Sequence, residues 1–131
     1  MKFLHLSDLH IGKKVNDYSL LNDQKCVLEQ IVDAVALEKP DAILVSGDVY
    51  DKSVPSAEAV QLLDDFLTRL SEMRQKVFVI SGNHDSAERI AFGSEIMKHS
   101  GIYFSPVYNG SIEPIALNDE FGVVNIFMLP F

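Results

Sequence analysis

The chain has one cysteine, no apolar stretch near the ~20 residues of a membrane span, no internal repeat, no low-complexity tract and no linker. Cys26 has no partner for an internal disulfide. Its place in an apolar helical pattern suits a small core or helix-surface residue rather than a nucleophile, and a reducing cytoplasm is the expected compartment. The first ten residues hold a single lysine and an apolar stretch broken by His5 and Asp8, which excludes the long apolar segment of a secretory signal. Basic residues are scarce too. Eleven Lys and Arg against nineteen Asp and Glu give a net charge of −8, the wrong sign for holding nucleic acid by phosphate neutralisation alone. DNA could be met only if bound cations, or protein outside these 131 residues, brought the positive charge.

What remains is ordinary for a folded domain: 47% of residues are apolar and 23% charged, enough to bury one core. Short apolar runs alternate with longer amphipathic ones. Phe3 to Ser7 reads as a strand, and Ser19 to Leu37 as a helix whose apolar positions Leu21, Leu28, Ile31, Val32 and Val35 recur every three or four residues. Ala42 to Ser46 is a second strand, Ser56 to Met73 a second helix, Val77 to Ser81 a third strand and Ser86 to Lys98 a third helix. This βαβαβα order predicts a parallel sheet with right-handed crossovers and helices on its faces. Ile102 to Phe104, Ile112 to Leu117 and Val123 to Leu129 are expected to add strands, with a turn at Asn118 to Gly122. Phe131 follows an apolar strand and Pro130 with no polar tail, so a chain truncated at its C-terminus is expected.

Three of the expected strands end alike, in Ser7-Asp8-Leu9-His10, Ser46-Gly47-Asp48 and Ser81-Gly82-Asn83-His84-Asp85. The carboxyl edge of a parallel sheet therefore collects oxygen and imidazole groups, and that edge is where open α/β sheets bind ligands. Gly47 and Gly82 allow sharp turns that aim Asp48 and Asn83 at a common centre. Each motif alone is weak, since Asp after a strand is commonly a cap or turn residue. Together they point to a metal site. Asp, His and Asn donors suit Mn²⁺, Mg²⁺, Fe²⁺ or Zn²⁺, and Asp48 is placed to bridge two ions about 3.5–4 Å apart.

Asp8-Leu9-His10, Gly47-Asp48-Val49-Tyr50-Asp51 and Gly82-Asn83-His84-Asp85 resemble the successive motifs of the calcineurin-like metallophosphoesterases. The wording around them, Leu4 to Lys13 and Gly82 to Arg89, resembles the SbcD-type nucleases within that superfamily. The resemblance is close over residues 1 to 95 and loose beyond. It implies a four-layer α/β/β/α sandwich, of which this chain is the N-terminal βαβαβα part plus further strands. It also implies two divalent ions, Mn²⁺ foremost: Asp8 and His10 on the first, Asp48 bridging, and Asn83 on the second. His84 would face the scissile phosphate, and Asp51 would orient His84 or the substrate.

The implied activity is 3′ to 5′ exonuclease and single-strand endonuclease action on DNA in recombination, repair and replication. The implied partner is an SbcC-type ATPase, with a homodimer inside a heterotetramer. Lys13, Lys14 and Arg89 could touch DNA phosphates, whereas His5 and His99 read as structural. The family's further histidine motifs, Gly-His and Gly-His-x-His, are missing, which leaves the second ion only Asp48 and Asn83. Two other readings stay open: a phosphomonoesterase or cyclic-nucleotide phosphodiesterase on the same site, and an impaired fragment that serves folding or assembly.

Overall fold

The structure is a computed structural model that describes residues 1–131. In chain order it runs β1 (Phe3–Leu6), β2 (Lys14–Val15), β3 (Tyr18–Ser19), α1 (Leu21–Glu38), β4 (Ala42–Ser46), α2 (Ala57–Glu72), β5 (Val77–Ile80), α3 (Ala87–Ile90), α4 (Ser94–Met97), a 3₁₀ turn (Lys98–Ser100), β6 (Ile102–Phe104), β7 (Ile115–Asp119) and β8 (Gly122–Ile126). The runs of Val, Ile, Leu and Phe are too short to bury a helix face, and they pair as four parallel strands in the order β1-β4-β5-β6. Pleating sends alternate side chains to opposite faces. Ile43, Val45, Val77, Val79, Ile102 and Phe104 face α1 and α2, where they meet Leu28, Val32 and Val35 of the first helix and Leu63, Phe66 and Leu70 of the second.

Both long helices lie on that one face. A right-handed crossover between successive neighbours always returns on the same side, so a sheet whose spatial order follows its sequence order gathers all its helices there. The helices expected against the sheet therefore occupy one of its faces. The opposite face, with Phe3, Ala42, Leu44, Phe78 and Tyr103, is covered by the antiparallel hairpin β7–β8 through Ile115, Leu117 and Ile126, joined by Met128. Phe78 and Tyr103 stack there with ring centroids 4.9 Å apart. The layers thus run helix, sheet, sheet.

Other differences are local. The helix expected over residues 86 to 98 is broken into α3, α4 and the 3₁₀ turn, because Gly93 takes a left-handed φ of 73° and interrupts the helical ladder. Strand β7 starts at Ile115 rather than Ile112, directly after Pro114, which has no N–H to donate. The turn between β7 and β8 contracts to Glu120 and Phe121, with Asp119 Oδ1 accepting from the Phe121 and Gly122 amides at 2.8 and 3.1 Å. The small β2–β3 hairpin was not anticipated. Its turn residues Asn16 and Asp17 both adopt left-handed φ, a conformation their side chains tolerate well. Cys26 lies exposed on α1, and no helix is long and apolar enough to cross a membrane.

Candidate metal centre

Beyond the last residues of β1 and β4 the two chains continue side by side. The Asp8 amide donates to the Gly47 carbonyl, His10 to Asp48, Ile11 to Val49 and Asp51 to Ile11, at 2.9–3.2 Å. Ile11 and Val49 are buried beneath this extension, which fixes the register of Asp8 and His10 against Asp48. The backbone there is strained: Asp8, His10 and Asp48 sit at φ of 55°, 43° and 48°. A non-glycine residue held left-handed costs on the order of 1–3 kcal/mol and persists where its surroundings over-determine it, most often at functional sites.

The third loop locks on from the other side. A Cβ on Gly82 would lie 2.2 Å from both the backbone N and Oδ1 of Asp48, and one on Gly47 would lie 2.9 Å from the Gly82 Cα. Gly47 does use a left-handed φ, of 85°, but Gly82 is needed for room rather than for a turn. Asp85, given no role by the motif reading, ties the loops together. Its Oδ2 accepts from the Val49 and Gly82 amides at 3.0 and 2.9 Å, and its Oδ1 from the Tyr50 amide at 2.8 Å. A carboxylate three residues after a strand-end glycine was the available signal, yet its partners are 35 and 36 residues away and only the fold reveals them. The Tyr50 phenol is pushed up to about 12, by burial first and by the Asp85 and Asp64 carboxylates next, so it stays neutral beneath the loop.

Around the cleft, His10 Nε2 lies 3.9 Å from Asp8 Oδ1 and 3.8 Å from Asp48 Oδ2, while His10 Nδ1 faces Asp51 Oδ1 at 3.5 Å. The His84 amide donates to Asp48 Oδ1 at 2.9 Å, and its Nδ1 meets the Asp51 carbonyl at 3.0 Å. Since a carbonyl only accepts, that contact places a proton on Nδ1 and leaves Nε2 free. Asp51 thus approaches both histidines, His84 through its carbonyl and His10 through its carboxylate. The two rings pack edge to face with centroids 4.9 Å apart. Ligand atoms of His10, Asp48 and His84 all fall within 4.8 Å of one another, a group that could hold a metal ion. Asn83 is exposed and lines the same cleft of about 350 Å³ as Asp8 and Asp48.

The remaining candidates lie outside this group. Lys13, Lys14 and Arg89 are exposed, His5 Nε2 bonds Ser46 Oγ at 2.9 Å, and His99 is exposed in the 3₁₀ turn.

The family model of the calcineurin-like phosphoesterases matches residues 1–128. The chain belongs to that family. Among its relatives is the SbcD component of nuclease SbcCD from Staphylococcus saprophyticus subsp. saprophyticus, 38% identical over 132 aligned positions that take in all of this chain and 34% of that protein. The chain therefore spans about a third of the length of this curated relative. For a calcineurin-like phosphoesterase a divalent ion is the expected cofactor, and the donors fit one. Metal bonds of about 2.1 Å allow two ligands of one ion to stand up to about 4.2 Å apart, and the 3.8 and 3.9 Å separations at His10 Nε2 fall within that span. His10 Nδ1 is buried with no hydrogen-bond partner, and a short closure onto Asp51 would give the carboxylate–histidine support that metal-binding imidazoles commonly have.

Proposed function

We propose that the chain is the N-terminal part of an SbcD-type nuclease domain that hydrolyses DNA phosphodiester bonds with two divalent ions, Mn²⁺ foremost. The observation that carries the reading is the convergence of Asp8, His10, Asp48 and His84 from three separate strand ends into one cluster, in a chain of this family. Asp8 and His10 would hold the first ion, Asp48 would serve both and Asn83 the second. Such cations, when bound, would supply charge that offsets the phosphate despite the net charge of −8, and would lower the pKa of water. His84, tethered by the Asp51 carbonyl and the Asp48 carboxylate, presents Nε2 to the leaving oxygen; as the imidazolium, with Nδ1–H held by Asp51, it would give its Nε2 proton to that oxygen and return to the neutral ring.

The 38% identity to a protein named as a component of nuclease SbcCD supports a nuclease that works beside an SbcC-type subunit. DNA as substrate, an ATPase as that partner and a cytoplasmic role in DNA recombination, repair and replication are proposed with it. A homodimer within a heterotetramer is proposed with it; Val60, Phe92 and Ile96, which are 46%, 86% and 77% exposed and rim an apolar groove over Ile90 and Met97, offer a surface for protein contacts. Scattered single apolar residues are normal on a surface, whereas a contiguous patch marks an interaction site.

The test is Mn²⁺-dependent release of labelled nucleotides from the 3′ end of duplex DNA. It is run on this chain and on a chimera in which residues 1–131 replace the matching third of the Staphylococcus saprophyticus protein. Release by the chimera that stops on chelation is expected. A folded chimera that hydrolyses phosphomonoesters or cyclic nucleotides but no DNA would overturn the nuclease reading in favour of another phosphoesterase.

A further inference from the structure

The apolar stripe of α1 is interrupted by one polar residue. Gln24 stands three residues after Leu21 and four before the buried Leu28, in line with the core-facing positions rather than on the solvent side. A polar side chain on a core face is informative, and this one is half-buried with its amide fully engaged. Oε1 accepts from the Gly12 amide at 2.9 Å, and Nε2 donates to the Leu9 and His10 carbonyls at 3.2 and 2.7 Å. All three bonds go to the loop that carries Asp8 and His10.

The carbonyls of Leu9 and His10 belong to the two peptide planes that flank His10. Fixing both planes fixes φ and ψ of that residue, which is held at the unfavourable φ of 43°. The arrangement also specifies an amide chemically, because one atom must accept from an N–H while the other must donate to two carbonyls. A carboxylate would set a negative oxygen against two carbonyl oxygens.

We propose that Gln24 is a positioning residue for the metal centre, holding the His10 backbone in the conformation that points Nε2 between Asp8 and Asp48. The proposal rests on the reading of Asp8, His10 and Asp48 as ligands. Gln24 is not itself a ligand and acts only through the loop.

The experiment is a Co²⁺ titration of the metal-free chain followed by visible absorption, which reports affinity and ligand geometry together. It compares wild type with Gln24→Glu, Gln24→Met and, as a surface control on the same helix, Gln30→Glu. Loss of an outer-shell partner typically weakens metal affinity 10–100-fold, and that loss with an altered spectrum is expected for both Gln24 variants but not for Gln30→Glu. Gln24→Glu is the sharper of the two. It adds a negative charge that by attraction alone would tighten cation binding, so weaker binding separates positioning from charge. Should Gln24→Glu fail to fold, Gln24→Met, which keeps the side chain's length without its polarity, carries the test. Wild-type affinity and spectrum in Gln24→Met, or tighter binding in Gln24→Glu, would overturn the positioning role while leaving the ligand reading intact. A wild-type chain that binds no Co²⁺ would sink the ligand reading and this proposal with it.

Discussion

Gly82→Ala is expected to remove cation binding altogether and to cost the fold about 1–3 kcal/mol. The new methyl carbon would stand 2.2 Å from the backbone N of Asp48 and 2.2 Å from its Oδ1, inside any contact atoms tolerate. Neither atom has somewhere to go. The Asp48 backbone is already left-handed and paired through its carbonyl to the His10 amide, and Oδ1 is held by the His84 amide. Relief must come from parting the second and third loops, which also breaks the bonds of Asp85 to Val49, Tyr50 and Gly82. Thermal unfolding should fall by roughly 4–12 °C for a chain of this size, and a Mn²⁺ titration should show no saturable binding. An alanine variant with unchanged melting temperature and affinity would show that the two loops do not meet as described.

His84→Gln should separate chemistry from cation binding. Loss of a positioned general acid commonly lowers kcat by 10²–10⁴. If His84 works from outside the metal's ligand set, Mn²⁺ affinity should stay within a few-fold of wild type while DNA cleavage by the chimera drops by that factor. The geometry makes this a sharp question, because His84 lies close enough to His10 and Asp48 to be a ligand itself. An affinity loss as large as that caused by removing Asp48 would reassign His84 to the metal.

The strands and the two long helices were legible in the sequence because their periodicity is set by the faces they bury, and Ala42–Ser46 is recovered to the residue. The strand-end motifs were legible because a parallel sheet brings every strand's carboxyl end to one edge. What sequence left open depends on tertiary placement. Gly82 was correctly singled out, but for a turn, whereas its role is to admit Asp48. Asp85 and Gln24 bond to backbone groups from other segments, which no local pattern announces, although a glutamine on the apolar stripe of α1 was a visible clue. The break at Gly93 and the one-sided placement of the helices follow from backbone conformation and strand order, neither of which periodicity reports.

Three strand-end loops meet at Asp48, and every functional step proposed above depends on a divalent cation binding there. A calorimetric titration of Mn²⁺ into the chain, beside Asp48→Asn, tests it most directly. Saturable binding by the wild type that weakens at least about 100-fold in Asp48→Asn is the predicted result, since the substitution keeps shape and removes the charge that the proposed ions would share. Equal binding by the two chains, or none by the folded wild type, would contradict it.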